Sequence, residues 1–179
     1  MKAAEVFSKI SRHQIEGIML HDQMADAFAF LALPGFEKLH EHQYREESAG
    51  MRRTHRYYIG RMGMLMCEGR PEDPQVIPRS WMGYKRRQVS VENKRKAVCD
   101  LMDHWVRWEQ DTKQMYEECC RHLTECNEIA AACFVKQMVM DVDEELCHAE
   151  GLQLRLEGVS YDMATVDQIQ HELMEMYGE

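Results

Sequence analysis

Residues 69–90 read GRPEDPQVIPRSWMGYKRRQVS, and they separate two halves of the chain that each carry long helical patterns. The stretch holds three of the four prolines and has no helical or strand periodicity, so it predicts a long connection. Before it, apolar periodicity predicts helices over about 6–33 and 36–68, interrupted at Pro34-Gly35. After it, the pattern predicts helices over about 91–123 and 128–156, and a brief fifth helix over about 165–177.

Several predicted helix ends carry residues that typically begin or end a helix. Ser90 precedes the third helix and can accept a hydrogen bond from its first turn. Thr165 and Gln168 match a capping box at the start of the fifth helix. Gly69, followed by Pro71, is expected to end the second helix.

The connections predict the fold class. Two helical hairpins with tight turns, joined by a crossover of about twenty residues, predict an all-α four-helix bundle with one long crossing. A simple up-down-up-down bundle has short loops throughout, and long loops are uncommon inside compact domains. We therefore predict a single domain, residues 1–179, in which a short C-terminal fifth helix follows the bundle.

Composition excludes several classes of function. The 179 residues carry a formal charge of −9, which disfavours binding to nucleic acid or to an anionic membrane surface. No stretch is apolar enough to span a bilayer. The seven cysteines form no Cys-x-x-Cys pair, which favours a reduced cytoplasmic protein over a disulfide scaffold or a zinc ribbon.

Ionisable residues interrupt the lines that a bundle should bury, which are spaced alternately three and four apart. The inward line predicted for the third helix is Val98, Met102, Trp105, Glu109, Thr112, Tyr116, Cys119 and Leu123. The ionisable residues on the other lines are Glu16 on the first helix, Arg52 and His55 on the second (with Ser48 and Ile59), and Asp141, Glu145 and His148 on the fourth. A buried carboxylate costs several kcal/mol unless it is paired or bound to metal, so these residues indicate one shared interior site.

The spacing repeats between the two halves. Glu16 and His55 are 39 residues apart, and the same interval separates Glu109 from His148. Glu145-x-x-His148 places a carboxylate and an imidazole on one helix face, as in bundles that hold two iron ions. In the first half the corresponding pair is Arg52-x-x-His55.

Four segments resemble known sequences: FEKLHEHQY at 36–44, EGRP at 68–71, WEQD at 108–111 and DEELCHAE at 143–150. Together they resemble the bacterioferritins, within the ferritin-like superfamily. The resemblance implies a ferritin-like bundle and a homo-oligomer. It also implies metal ligands at Glu16, His55, Glu109, Glu145 and His148, with Arg52 in the place of a sixth ligand.

The second helix leaves an alternative open. Glu47 is a competing carboxylate, but it lies two turns, roughly 12 Å, from His55, so one metal ion could hardly use both. Arg52 offers donors only and cannot bind a cation. Haem is not expected, because Met51 is out of step with the Arg52/His55 alignment. Gln23 and Met24 stand where bacterioferritins carry a tyrosine.

Two functions follow as hypotheses. The first is a ferritin-like metal-binding protein that handles or oxidises iron, or performs oxygen or peroxide redox chemistry as an oxidoreductase. Its interior site would hold one or two ions of iron, manganese or zinc, and only one if Arg52 replaces a ligand. The second is a metal-free structural or interaction protein in which Arg52 neutralises the internal carboxylates.

Other candidate sites have plainer interpretations. A DNA-protecting mini-ferritin, suggested by Gly35-Phe36 and Leu39-His40-Glu41, is disfavoured because the chain has no basic tail. His21 and Asp22 are interpreted as surface residues. Cys119, His122 and Cys126 are interpreted as packing at a helix end rather than as a soft-metal site.

Overall fold

A computed structural model describes residues 3–63 and 89–178. Within these ranges the chain forms five α-helices and no strand: α1 (Ala3–Leu31), α2 (Pro34–Met62), α3 (Val91–Glu125), α4 (Ile129–Gly158) and α5 (Met163–Tyr177). Helix α1 packs along α2 and α3 packs along α4, while α1 also contacts α3 and α5 packs against α2. The predicted all-α four-helix bundle with a short C-terminal helix is confirmed.

A tight turn folds α2 back onto α1. Ala32 adopts the left-handed conformation, with φ of 59°. The backbone N–H of Leu33 donates to the Phe28 carbonyl at 3.0 Å, which satisfies one of the last carbonyls of α1. Pro34 then begins α2, where its missing N–H costs nothing because that group would have no helical partner.

The observed helix ends agree with one prediction and correct two. Ser90 caps α3, and its Oγ accepts from the Asn93 N–H at 3.1 Å, as predicted. Helix α2 ends earlier than predicted, because Gly63 adopts the left-handed conformation (φ 64°) and its N–H bonds back to the Ile59 carbonyl. Residues 64–88, which include Gly69 and most of the predicted crossover, lie outside the described residues.

Helix α5 begins at Met163 because Asp162, rather than Thr165, is its capping residue. The Asp162 carboxylate accepts from the backbone N–H of Thr165 at 3.2 Å. The capping box expected from Thr165 and Gln168 is therefore wrong. An aspartate three residues earlier caps the first turn, starts the helix there and adds a negative charge at the helix N-terminus.

Helix α5 docks on its own chain through a close backbone contact. A Cβ added to Gly35 would lie 2.0 Å from the Gln170 carbonyl oxygen, so only glycine fits at this point of α2. Val166, Ile169 and Leu173 bury the apolar face of α5 in the same contact region. The short fifth helix is thus part of the core of the domain.

The core consists of two apolar clusters with a polar layer between them. One cluster includes Phe28, Phe36 and Trp105, and the other includes Phe7, Tyr58 and Leu123. Along each helix the residues between the clusters are polar or lack a side chain: Gln14 and Gly17 on α1, Gln43 and Glu47 on α2, Glu109 and Thr112 on α3, and Glu145 on α4. Every residue of the predicted inward line on α3 is buried, so that prediction is confirmed.

Among the described residues, none of the helices combines the length and hydropathy that a bilayer crossing requires.

Candidate functional site

The buried face of α2 differs from the one predicted. His40, Gln43, Thr54 and Tyr58 are buried, and their alternating spacing continues through position 47. Arg52 is exposed, and Ile59 is 43% exposed. Successive helix residues are about 100° apart, so a shift of a single residue turns the whole line toward solvent. The predicted line through Ser48, Arg52, His55 and Ile59 is wrong, and Glu47, the competing carboxylate, points inward.

Glu47 occupies space that Gly17 leaves free on α1. A Cβ added to Gly17 would lie 3.0 Å from Oε1 of Glu47 and 3.2 Å from the Trp108 ring. Burial raises the pKa of Glu47 well above its usual range, and the charges of Glu109 and Glu145 raise it further. Glu47 is therefore a carboxyl group held in the interior next to two others.

Glu109 is fully buried on α3. The indole N–H of Trp105 donates to its Oε1 at 2.8 Å, and Nε2 of His21 lies 3.8 Å from the same oxygen. Within the described part of the chain, Oε2 has no hydrogen-bond partner. Burial, with the Glu145 charge as the next cause, raises the pKa of Glu109 to about 8, although the Trp105 hydrogen bond opposes the shift.

Glu145 and His148 lie one turn apart on α4 and are both half-buried. They line a cleft of about 570 Å³ between α2 and α4, together with Glu47 and Gly50. Burial and the charges of Glu46 and Asp141 raise the pKa of Glu145 to about 7. Burial lowers the pKa of His148, which keeps its imidazole neutral and able to bind a metal ion.

Three helices thus bring carboxyl groups together in the polar layer. Burial raises the pKa of Tyr116 well above its usual value, the charges of Glu47, Glu145 and Glu109 raise it further, and a hydrogen bond with Gln14 lowers it. Such a cluster is relieved either by protons or by a cation. Across residues 3–63 and 89–178, no three Asp, Glu, His or Cys side chains are arranged to hold a metal ion together.

The structure places two of the predicted ligands elsewhere. Glu16 has a side chain 30% exposed, and its Oε2 lies 3.8 Å from Nδ1 of His13. His55 is half-buried, and its Nε2 lies 2.6 Å from Oγ of Ser11. His55 is two helical turns, about 12 Å, from Glu47 along α2. Glu109 lies close enough to Glu145 for the Glu145 charge to act on it, and His148 lines the same cleft as Glu145; their role as ligands stays a prediction.

In the described ranges, the arginines lie outside the interior. Every arginine in the described ranges is exposed, including Arg52. The idea that Arg52 takes the place of a sixth ligand is therefore wrong, and so is the internal network of Arg52 with carboxylates. Arg53 instead pairs with Asp141 at 2.7 Å beside the cleft, linking α2 to α4.

Sequence reasoning missed a buried histidine pair. His21 and His40 are fully buried, and their Nδ1 atoms lie 3.0 Å apart. Burial lowers the pKa of His21 to about 3 and holds that of His40 well below its usual value. The interpretation of His21 as a surface residue is wrong, although Asp22 is exposed. The buried residues Gly17, His21, Met24 and Phe28 define the inward line that could have revealed it.

Cys119 and Cys126, near the end of α3, do not lie together. Cys119 is buried, while Cys126 is exposed with its Sγ 3.5 Å from Nε2 of His122. Cys119 instead lies 3.7 Å from the sulfur of Met115. The interpretation of these residues as packing agrees with this placement.

Comparison with known proteins identifies the fold. No protein-family model matches the chain, and no curated protein sequence matches it. The open-pore ferritin of the hyperthermophilic archaeon Archaeoglobus fulgidus matches with a TM-score of 0.78 and 17% identity, over 97% of this chain and 96% of that one. The chain has a ferritin-like fold.

Other solved structures match the ferritin-like fold equally well. A closed form of the Archaeoglobus fulgidus ferritin, engineered by site-directed mutagenesis, matches with a TM-score of 0.79 and 19% identity, over 97% of this chain and 94% of that one. A PmFTN variant soaked in iron matches with a TM-score of 0.74 and 11% identity, over 94% of this chain and 96% of that one. At these identities the ferritin-like likeness concerns the fold rather than the site.

Proposed function

We propose that this protein binds and handles iron in the polar layer of its bundle. Ferrous iron would be the substrate, held by the carboxylates of Glu47, Glu109 and Glu145 and by the imidazole of His148. The observation that carries the proposal is the convergence of these carboxylates around Glu109, whose Oε2 is buried and, within the described residues, unpartnered. Unpaired buried carboxylates are costly, and a bound cation would relieve that cost.

The set of donor atoms suits the substrate. Mixed carboxylate and imidazole ligands favour iron, manganese or zinc over softer metals. Among these three, the ferritin-like fold and the iron-soaked structural neighbour favour iron. Oxidation would remove one electron from each ferrous ion, with dioxygen or peroxide as the acceptor.

The protein groups would act as ligands and as proton acceptors. Because burial raises the pKa values of Glu109 and Glu145 to about 8 and about 7, with the charges of neighbouring carboxylates adding to each shift, the carboxyl groups hold protons near neutral pH. A bound dication favours the ionised form, so binding would release those protons to solvent. Trp105 would fix the orientation of Glu109 through its hydrogen bond.

An anaerobic titration with ferrous iron tests the proposal. The parent protein, prepared free of metal, should bind iron stoichiometrically by calorimetry and by elemental analysis after desalting. Glu109→Gln and Glu145→Gln should each reduce the affinity by at least about tenfold, since each removes an anionic ligand. Glu117→Gln, an exposed carboxylate on α3, is the matched control and should bind like the parent. Equal binding by all four proteins, or none by the parent, would overturn the proposal.

Self-association is part of the same proposal. Several large apolar side chains are exposed on the bundle, including Tyr44, Ile59, Met140 and Leu154. Singly exposed apolar residues also occur on monomers, so the ferritin-like fold is the stronger support for assembly. We expect a homo-oligomer, and light scattering coupled to size-exclusion chromatography checks it; a monomer at micromolar concentration would contradict it.

A further inference from the structure

Helix α4 carries an uncharged line of residues along its outward face. Residues seven apart on a helix lie nearly above one another, and four such residues of α4 are all exposed: Cys133, Met140, Cys147 and Leu154. Ile129 and Gly151 fall on the same side of the helix and are exposed as well. The opposite side, through Val135, Val142 and Ala149, is buried in the core. This outward line of α4 is therefore left open by the described part of the chain.

The outward line of α4 is symmetric in sequence about Met140. Cys133 lies seven residues before Met140 and Cys147 lies seven residues after it, while Ile129 and Gly151 are each eleven residues away. A dimer with two-fold symmetry brings residue i against residue j and residue j against residue i. An antiparallel pair of α4 helices centred on Met140 therefore sets each of these residues against its counterpart on the other side of Met140.

From this register we infer that two copies of this chain associate through α4, antiparallel and centred on Met140. In that pair Cys133 faces the partner's Cys147, and Met140 faces the partner's Met140. Ile129 enters the space over the partner's Gly151, where an added Cβ would meet no atom of the same chain within 4 Å. The inference names a contact surface for the homo-oligomer proposed above, and it does not depend on iron binding.

Charges beside the outward line of α4 favour the antiparallel direction. Lys136 and Asp143 are exposed on one flank of the line, and Gln137 and Glu144 are exposed on the other. The antiparallel pair sets Lys136 beside the partner's Asp143, so opposite charges meet twice, and Asp143 also pairs with Lys113 of its own chain. A parallel pair would instead set Asp143 beside the partner's Glu144, so like charges would meet twice. Exposed ion pairs add little affinity, so the charges select the direction while the uncharged line supplies the contact.

The dimensions of two packed helices fit this contact. Helix axes pack about 8–10 Å apart, and Cα atoms lie about 2.3 Å from each axis. At a separation of about 10 Å, facing Cα atoms are about 5.4 Å apart, a distance that a disulfide can span. Within one chain, Cys133 and Cys147 are about 21 Å apart along α4, so a disulfide that joins them can form only between two chains. The two exposed thiols therefore report on the pairing.

Oxidation of the natural cysteines tests the register. Diamide accepts the two electrons and two protons that a pair of thiols loses when a disulfide forms. At low micromolar concentration the parent should give a covalent dimer, with the Cys133–Cys147 linkage identified by mass spectrometry of its peptides. Cys133→Ser and Cys147→Ser should each fail to form this dimer alone, but a mixture of the two should form it, because each variant supplies the thiol that the other lacks. Cys126→Ser, at an exposed cysteine before α4, is the matched control and should link like the parent.

A charge at the centre of the contact tests the surface independently of the thiols that link. Met140 is 53% exposed, so Met140→Lys should leave the fold intact. Two lysines would then meet at the two-fold axis, and we expect the Cys133–Cys147 linkage to form at least about tenfold more slowly. Met176→Lys changes an exposed methionine on α5 and should link like the parent. Circular dichroism verifies that both variants are folded.

The linkages themselves separate the possible outcomes. Cys133–Cys133 and Cys147–Cys147 linkages would indicate a parallel pair and would overturn the inference. Dimers formed by either serine variant alone as fast as by the parent, no dimer from the mixture, or a parent whose Cys133 and Cys147 stay unlinked would also overturn it. A parent that assembles by light scattering without this linkage would leave the homo-oligomer standing. The iron titration is a separate measurement, so failure here does not affect the proposed metal binding.

Discussion

The indole N–H of Trp105 donates to Oε1 of Glu109 at 2.8 Å, so a buried aromatic side chain holds a buried acid by a single hydrogen bond. Both residues are fully buried, and they lie one helical turn apart on α3. Because the donor and acceptor share one helix, the contact fixes the carboxylate independently of how the other helices move.

Removing this donor should destabilise the protein. Trp105→Phe leaves Oε1 of Glu109 without its bond, and we expect a loss of about 1 to 3 kcal/mol in the free energy of unfolding. Trp108→Phe makes the same chemical change at an indole whose N–H has no partner within the described chain, and it should cost less. Urea unfolding of both variants checks the difference; equal losses would contradict the importance of the bond.

The acidic cluster should make the metal-free protein less stable at alkaline pH. The pKa of Glu109 is raised in the folded state to about 8 from its ordinary value of 4.5, so the unfolded chain releases its proton more readily. The stability that the protonated Glu109 contributes is fully present below pH 4.5. It is lost as the pH rises through 8. Between pH 6 and 9 we expect Glu109 alone to account for a loss of about 2 to 3 kcal/mol.

Urea unfolding in the presence of a chelator, at pH 6 and at pH 9, measures this loss. Glu109→Gln should flatten the dependence, because its amide does not titrate. Glu117→Gln, which changes an exposed carboxylate, should follow the parent. If Glu109→Gln and the parent lose the same free energy over this range, the raised pKa is not a property of Glu109.

The buried histidine pair should act at the acid end of the pH range. His21 has a folded-state pKa of about 3, below its usual 6.5, so the unfolded chain gains a proton first as the pH falls. The stability that neutral His21 provides is present above pH 6.5 and decreases below it, by about 2 kcal/mol at pH 5. His171 is exposed, and His171→Gln should leave this acid sensitivity unchanged.

Replacing one member of the pair separates two effects. His40→Leu should destabilise the protein at pH 7, since Nδ1 of His21 loses its partner at 3.0 Å. The same change should reduce the further loss between pH 7 and pH 5, because one buried titrating group is gone. Urea midpoints at both pH values measure the two effects, and an unchanged acid loss would exclude His40 as a cause.

The backbone contact between Gly35 and Gln170 gives a prediction about stability alone. Gly35→Ala places a Cβ 2.0 Å from a carbonyl oxygen, and we expect a loss of about 2 to 4 kcal/mol as α5 is displaced. Gly60→Ala, at an open helical position, should raise stability by about 0.5 to 1 kcal/mol. Thermal unfolding measures both, and limited proteolysis should release α5 from Gly35→Ala first.

The inward face of α3 could be predicted from the sequence because its apolar residues are dense enough to show which side of the helix is buried. Val98, Met102 and Trp105 on one side of Glu109, with Tyr116 and Leu123 on the other, allow a single inward line. A lone carboxylate in such a line was correctly assigned to the interior. The same reasoning brought Glu145 and His148 to the cleft.

The inward face of helix α2 could not be predicted in this way. Between Leu39 and Tyr58 its inward positions are polar or glycine, such as Gln43, Glu47 and Gly50, so no apolar line fixes its rotation. A polar layer in the middle of a bundle removes the periodic signal at the level where a site would lie. Arg52 was placed on the inward face because no apolar residue near it fixes the rotation of the helix.

The inward face of helix α1 was predicted wrongly for a related reason. Its inward positions at the site are Gln14 and Gly17, which are neither apolar nor ionisable. Glu16 was predicted as a ligand instead because it is charged. A glycine that makes room for a side chain from a neighbouring helix leaves no mark in a single sequence. Its role becomes visible only once Glu47 is seen beside it.

The opening between α2 and α4 lies along the flank of the bundle and reaches Glu145 and His148 directly. In the single protomer, a solute would therefore reach these side chains from bulk water through this opening. Under the proposed function, iron would enter each protomer by its own opening.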